Sequence, residues 1–257
     1  MDPTTHGIAD SPVPGVFRRT GGLRWHARVL RRWRLHQPFR NEIAQFLDDL
    51  RPNGRSLILV GSSGGWFLPT RFLAQFSRLT IIELDRSAPF FFRLRHGAGL
   101  RRAGSSAEWI FEDFVSALPP LLIQGPGVPV LFCNVLGQLG LERADYEKRL
   151  AALPGMLEGH PWASFHDRFS TVIDGATDGV NDGRGFPDQQ GFSSESPLDS
   201  VRLQHMGYAG VWIDHGTGGL LPARLSRRYL PWRITPKRFH WVEAGTVSGG
   251  GLSEKPS

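Results

Sequence analysis

Three glycines and two acids at fixed spacing carry the first chemistry in this chain. Gly61, Gly64 and Gly65 follow directly on the apolar run Ser56–Val60, with Ser62 and Ser63 between them, and Glu83 and Asp85 close a second apolar run, Leu79–Ile82. A glycine turn after a strand lets backbone N–H groups approach a ligand, and an acid after the next strand can accept both hydroxyls of a ribose. The pattern points to a pocket for a nucleotide-type cofactor.

Three glycine motifs compete for this loop. A P-loop requires a Lys and a Ser or Thr after its last glycine, and Trp66 and Phe67 stand there, which excludes ATP by that route. The dinucleotide pattern GxGxxG is not matched, because the spacing is GxxGG. The nucleophile elbow GxSxG is matched literally, with Ser63 as the nucleophile of an α/β-hydrolase. Such an elbow follows several strands, however, and the chain before Ser56 has helical and not strand periodicity.

Further candidates stand at the ends of later apolar runs. Asp113 follows AEWIFE, Asn134 follows VPVLFC, and His215 follows VWID and precedes GTGG. His166, beside Asp167 and Arg168, belongs to the run SFHDRFSTVI, which reads as a helix end leading into a strand. A histidine beside an aspartate can serve as a general base, so Asn134, His166 and His215 are the candidate catalytic residues, and His240 ranks below them. No Cys and His cluster has metal-ligand spacing, and no metal is expected.

These residues need elements to hold them. Trp25, Val29 and Trp33, then Phe39, Ile43, Phe46 and Leu50, recur at helical spacing, so residues 24–50 are expected to be helical, with Pro38 suited to a helix start. Leu57–Val60 is then the first strand of the sheet. Apolar positions from Trp66 to Phe76 predict the first crossover helix, and residues 141–153 another. Val211–Ile213 and Arg238–Val242 are candidate strands for the far edge.

In this order of strands, glycine loop and acids, the chain resembles the class I S-adenosylmethionine-dependent methyltransferases over roughly residues 55–139, most specifically in the segment IIELD. The resemblance implies an α/β fold, a Rossmann-like mostly parallel sheet with helices on both faces, here with an N-terminal helical extension. It implies S-adenosylmethionine as cofactor and methyl transfer by direct displacement to an acceptor it does not name. It places Gly61, Ser62, Ser63, Gly64 and Gly65 around the methionine part of the cofactor, Glu83 on the ribose with Asp85 close by, Asp113 near the adenine, and Asn134 at the fourth strand end. The chain departs from the family in two places. Val60 precedes Gly61 where the family's loop begins with an acid, and Val135, Leu136 and Gly137 follow Asn134 where the amine-methylating branches carry Pro-Pro and an aromatic. Two other readings stand beside this one: a catalytically silent methyltransferase-fold binding module, and a hydrolase using Ser63.

Composition bounds the rest. At 257 residues, 40% hydrophobic and 21% charged, the chain can bury a full core. A single cysteine, Cys133, rules out an internal disulfide, fits a buried thiol and suits the cytoplasm. No apolar run is long enough to span a bilayer. The net charge of +6 is concentrated near the N-terminus, where Arg28, Arg31, Arg32 and Arg34 alternate with Trp25 and Trp33. That texture can hold a nucleic-acid backbone, although a charged helix face more often meets water. The expected organisation is a disordered leader over 1–17, a basic helical segment over 18–54, the catalytic-type domain over 55–245 and a disordered tail over 246–257. Within that domain the polar stretch 174–199 is long enough to be a lid.

Overall fold

The structure, a computed structural model, describes residues 22–50, 54–137, 146–171, 191–205, 212–223, 225–235 and 238–249. The expected leader and most of the 174–199 stretch lie outside them. Residues 24–50 are largely helical, in two helices, α1 (Leu23–Arg31) and α2 (Gln37–Asp48), with Pro38 at the start of the second, as expected. Pro38 sits in the first turn of α2, where its missing N–H costs nothing but could not continue a preceding helix. Phe39, Ile43, Phe46 and Leu47 of α2 are all buried, which fixes the face it presents to the core.

The strands are β1 (Ser56–Val60), β2 (Arg78–Ile82), β3 (Ser106–Ile110), β4 (Val130–Cys133), β5 (Trp162–Thr171), β6 (Phe192–Ser194), β7 (Trp212–Asp214), β8 (Arg227–Thr235) and β9 (Arg238–Val247). They lie in one sheet in the order β3-β2-β1-β4-β5-β9-β8-β6, with β7 paired to β5. The first five strands of that path are parallel; β9 runs antiparallel to β5 and to β8. Successive residues of the parallel strands serve opposite faces. Leu57, Leu59, Ile81, Leu131 and Cys133 pack with α2 and with the segment Leu68–Phe76. Ile58, Val60, Ile82, Val130 and Phe132 pack with α5 (Phe114–Gln124) and α6 (Tyr146–Met156) on the other face. The chain therefore has the Rossmann-like α/β fold that the resemblance implies.

Three local expectations need correction. The helix expected from Trp66 to Phe76 shrinks to α3 (Thr70–Leu73), because Pro69 is extended and Leu68 closes a turn back to the Gly65 carbonyl. The described part of SFHDRFSTVI, residues 164–171, contains no helix end: β5 is strand from Trp162 to Thr171, fully buried between β4 and β9. β9 reaches Val247, two residues into the expected tail. α4 (Ala88–Arg102), which follows Asp85, and α7 (Ser200–His205) complete the elements. Among the described residues no helix is long and apolar enough to cross a membrane.

Candidate functional site

The parallel strands reverse their order between β1 and β4, and ligands of open α/β sheets bind outside the carboxyl ends of strands at that point. A cavity of about 730 Å³ opens there, within the range of roughly 300–1,000 Å³ typical of small-molecule sites. Its wall includes Gly61, Ser62 and Ser63 after β1, Glu83 and Asp85 after β2, Asp113 after β3, Asn134 after β4, and Asp167, His215 and His240. Gly64 and Gly65 are not part of that wall. Gly64 packs behind the loop against Trp66 and Phe91. At Gly65, with φ +67°, a Cβ would lie 2.6 Å from His96 Nε2.

The loop itself is held by Glu83. Its Oε2 accepts the Ser63 N–H at 2.6 Å, and Oε1 accepts those of Leu84 at 2.9 Å and Asp85 at 3.1 Å. A carboxylate has about four acceptor positions, so Glu83 keeps one open where a ribose diol was expected to find two. Burial raises its pKa, against the backbone N–H groups that stabilise the charge. Ser63 holds a left-handed φ of 51°, unusual for a residue with a side chain. The hydroxyls of Ser62 and Ser63 are buried without a hydrogen-bond partner. Ser63 thus lacks the adjacent imidazole that a nucleophilic serine requires.

Two of the expected cofactor acids work within the protein. Asp85 Oδ2 accepts the Gly22 N–H and the His26 Nε2–H, both at 2.9 Å, and Oδ1 accepts the N–H and hydroxyl of Ser87. His26 Nδ1 accepts the Trp66 indole N–H at 2.8 Å, which fixes the proton on Nε2. Asp85 thereby pins α1 over the cavity, where Trp25 and Arg28 join the wall. Asp113 caps α5 by accepting the Val115 N–H at 3.1 Å, and pairs with Arg149 of α6 at 3.2 Å.

The cavity wall also brings together Asn134, His215 and His240, named from the sequence, around Asp167, which the sequence did not single out. Asp167 Oδ1 accepts the His240 Nδ1–H at 2.8 Å. Asn134 braces the same aspartate: its Oδ1 accepts the Asp167 N–H at 2.9 Å and its Nδ2 donates to Oδ2 at 3.3 Å. Asn134 is the second non-glycine residue with a left-handed backbone among the described residues, at φ 55°. A bulge in β5 between Asp167 and Phe169 brings Ser170 to the Asp167 face, opposite His240. Ser170 Oγ and the Gly137 carbonyl hold His215, at 3.0 Å from Nε2 and 2.9 Å from Nδ1. Burial lowers the His215 pKa and keeps the ring neutral, although Asp167 pulls the other way. For Asp167, burial would raise the pKa, but His240 first, then His215 and Asn134, reverse this and hold it at about 2.

Asp167, His215 and His240 present donor atoms within 4.8 Å of one another. His215 spends both nitrogens on Gly137 and Ser170, and His240 Nδ1 is spent on Asp167, so the arrangement reads as a hydrogen-bond network and not as a prepared metal centre. His240 Nε2 is buried with no partner. His166 lies away from the cavity, on Ser164 Oγ at 2.8 Å and beside Glu243 at 3.4 Å. Cys133 reaches the wall, but burial pushes its thiol well up and leaves it protonated. Of the basic residues, Arg28 is exposed at the cavity mouth, Arg32 donates to the Ile234 carbonyl at 3.4 Å, and Arg31 and Arg34 are exposed.

No protein-family model matches the chain, and no curated protein does. Solved structures resemble it in fold. The N-methyltransferase NodS from Bradyrhizobium japonicum WM9, in complex with S-adenosyl-L-homocysteine, is 14% identical, covers 83% of this chain and 91% of its own, and gives a TM-score of 0.42. Magnesium protoporphyrin IX methyltransferase from Synechocystis PCC 6803, with bound S-adenosylhomocysteine, is 13% identical over 82% of each chain, with a TM-score of 0.39. An O-methyltransferase family protein from Burkholderia thailandensis is 16% identical over 85% of this chain and 58% of its own, with a TM-score of 0.40. At such identities and TM-scores the likeness carries no activity across to this chain.

Proposed function

We propose that this protein is an S-adenosylmethionine-dependent methyltransferase. The observation that carries the reading is the cavity at the strand-order reversal, whose wall brings together the Gly61, Ser62 and Ser63 loop and Glu83, a carboxylate with one acceptor position left open. A glycine turn and an acid at adjacent strand ends of an open α/β sheet are where a nucleotide-type ligand binds. When bound, the cofactor supplies an activated methyl group on a sulfonium sulfur. The chain's own part is to hold the loop open through the Glu83–Ser63 bond, to exclude water with Trp25, Phe67 and Trp232, and to align an acceptor. Arg28 at the cavity mouth suits an anionic acceptor, and nucleic acid is one such class.

One observation favours a second reading, a binding module without catalysis: Glu83 and Asp113, which the resemblance puts on the ribose and adenine, are largely engaged with the protein itself. Calorimetry with S-adenosylhomocysteine, followed by transfer of labelled methyl from S-adenosylmethionine to cell extract, separates the readings. Binding with transfer supports the enzyme; binding without transfer supports the module.

A further inference from the structure

A second depression, about 290 Å³ and open to solvent, lies where α2, α3 and α4 meet behind the glycine loop. Of its wall only Phe67 is shared with the cavity at the strand ends, and no aspartate or glutamate lines it. We propose that this depression is a binding site for a phosphate group, held between the guanidinium groups of Arg40 and Arg95 and separate from the cofactor cavity.

Both cations stand over one indole. Arg40 Cζ lies 3.4 Å and Arg95 Cζ 4.7 Å from the centre of the Trp33 ring. Arg40 is half-buried: its Nε and Nη1 are shielded from solvent and bonded to nothing, so Nη2 is the donor it turns outward. Arg95 donates from Nε to the Gly65 carbonyl at 3.2 Å, which leaves its two terminal nitrogens for another partner. Arg71, on the same wall, is paired with Asp48 through two hydrogen bonds, whereas neither Arg40 nor Arg95 has an ion pair among the described residues. Contact with the indole face holds the guanidiniums in place but neutralises neither.

Two positive charges on one ring repel each other. Burial, and then the charge of Arg40, lowers Arg95 to about 10. An anion between them removes that repulsion. The guanidinium fork matches phosphate oxygens in two-point contacts, and a phosphate monoester brings nearly two negative charges at neutral pH, one for each arginine. Asn41 adds a further donor, because its carboxamide oxygen is taken by Gln37 at 2.7 Å and its Nδ2 is left over. The size of the depression suits a phosphate group, being just under the roughly 300–1,000 Å³ of sites that enclose a whole small molecule.

The test is phosphorus NMR titration of the full chain in low-salt buffer, with inorganic phosphate and with ribose 5-phosphate as probes and no cofactor present. Wild-type protein should bind phosphate saturably at one site. Arg40→Gln and Arg95→Gln should each weaken it roughly tenfold or more, while Arg31→Gln, which removes an exposed charge of α1 outside the depression, should leave it unchanged. Tighter binding of ribose 5-phosphate would assign the group to an organic monoester, and equal or weaker binding to the free ion. Arg95 also holds Gly65, so if Arg95→Gln does not fold, Arg40→Gln decides. Absence of saturation at millimolar phosphate overturns the proposal, as does binding unchanged in Arg40→Gln or weakened equally in Arg31→Gln. Binding of a phosphodiester dinucleotide without binding of either probe would make the depression a nucleic-acid contact and also overturn it.

Discussion

Asn134, just past the end of β4, and Asp167, inside the adjacent parallel strand β5, grip one another: the aspartate's N–H donates to Asn134 Oδ1 at 2.9 Å while Asn134 Nδ2 reaches its carboxylate at 3.3 Å. Asn134 does this from a left-handed backbone, which asparagine tolerates better than most residues. Asn134→Ala leaves a buried N–H unsatisfied and should cost about 1–3 kcal/mol in urea unfolding. Asn134→Gly loses the same bonds but relieves the backbone, so it should be the more stable of the two. A glycine variant less stable than the alanine variant would contradict the left-handed assignment.

Gly137 is required by close approach. A Cβ there would lie 2.7 Å from the Asp167 carbonyl oxygen and 3.0 Å from its nitrogen, backbone atoms that cannot swing aside. Gly137→Ala should destabilise the protein by about 1–3 kcal/mol through overpacking. It should also shift the His215 imidazole resonances, since Gly137 O accepts the Nδ1–H. Unchanged stability and resonances would refute the close contact.

Stability should fall in mild acid. Burial, aided by the charges of Arg32 and Arg40, lowers His36 from 6.5 to about 4; burial also lowers His96 to about 4, with Arg95 adding to it against the Gly65 carbonyl. The unfolded chain takes up these protons near pH 6.5 and the folded chain only near 4. Stability is therefore whole above 6.5 and declines as pH falls toward 4, by roughly 3 kcal/mol for each ring. Asp167, held at about 2, loses its contribution only at still lower pH, and Glu83, whose pKa is raised, works in the opposite sense. Urea midpoints across this window check the slope; a flat profile would mean that these rings are charged when folded.

Asp85 should behave as an anchor and not as a cofactor ligand. Asp85→Ala removes the acceptor of the Gly22, His26 and Ser87 bonds. Limited proteolysis should then cut within α1 while the sheet stays protected. Equal protease resistance in the variant would count against this role.

Much of this was legible in the sequence. The buried runs SLILV, RLTII and VLFC are short, apolar and bounded by turn residues, so the parallel strands and the cavity at their ends could be read directly. α3 could not be bounded, because its apolar spacing continues through turns that Gly65 and Pro69 impose. β8 was missed because Pro231 interrupts a run that only its pairing with Trp241 completes. The Asp167–His240 pair was hidden for a different reason. Its members are 73 residues apart, and the β5–β9 register that joins them is tertiary information; only the alternation around His240 hinted at its strand.

Ser63 separates the enzyme classes. A fluorophosphonate should leave Ser63 unlabelled, since its hydroxyl has no hydrogen-bond partner to act as base. Labelling of wild-type protein that disappears in Ser63→Ala would make this a hydrolase.

Isothermal calorimetry of S-adenosylhomocysteine with wild-type protein tests the cofactor pocket itself. Saturable binding at one site per chain is expected, weakened in Glu83→Ala and in a Ser62→Ala, Ser63→Ala double variant that keeps its fold. A folded wild-type protein that gives no heat at millimolar ligand, or binding untouched by these substitutions, would contradict it.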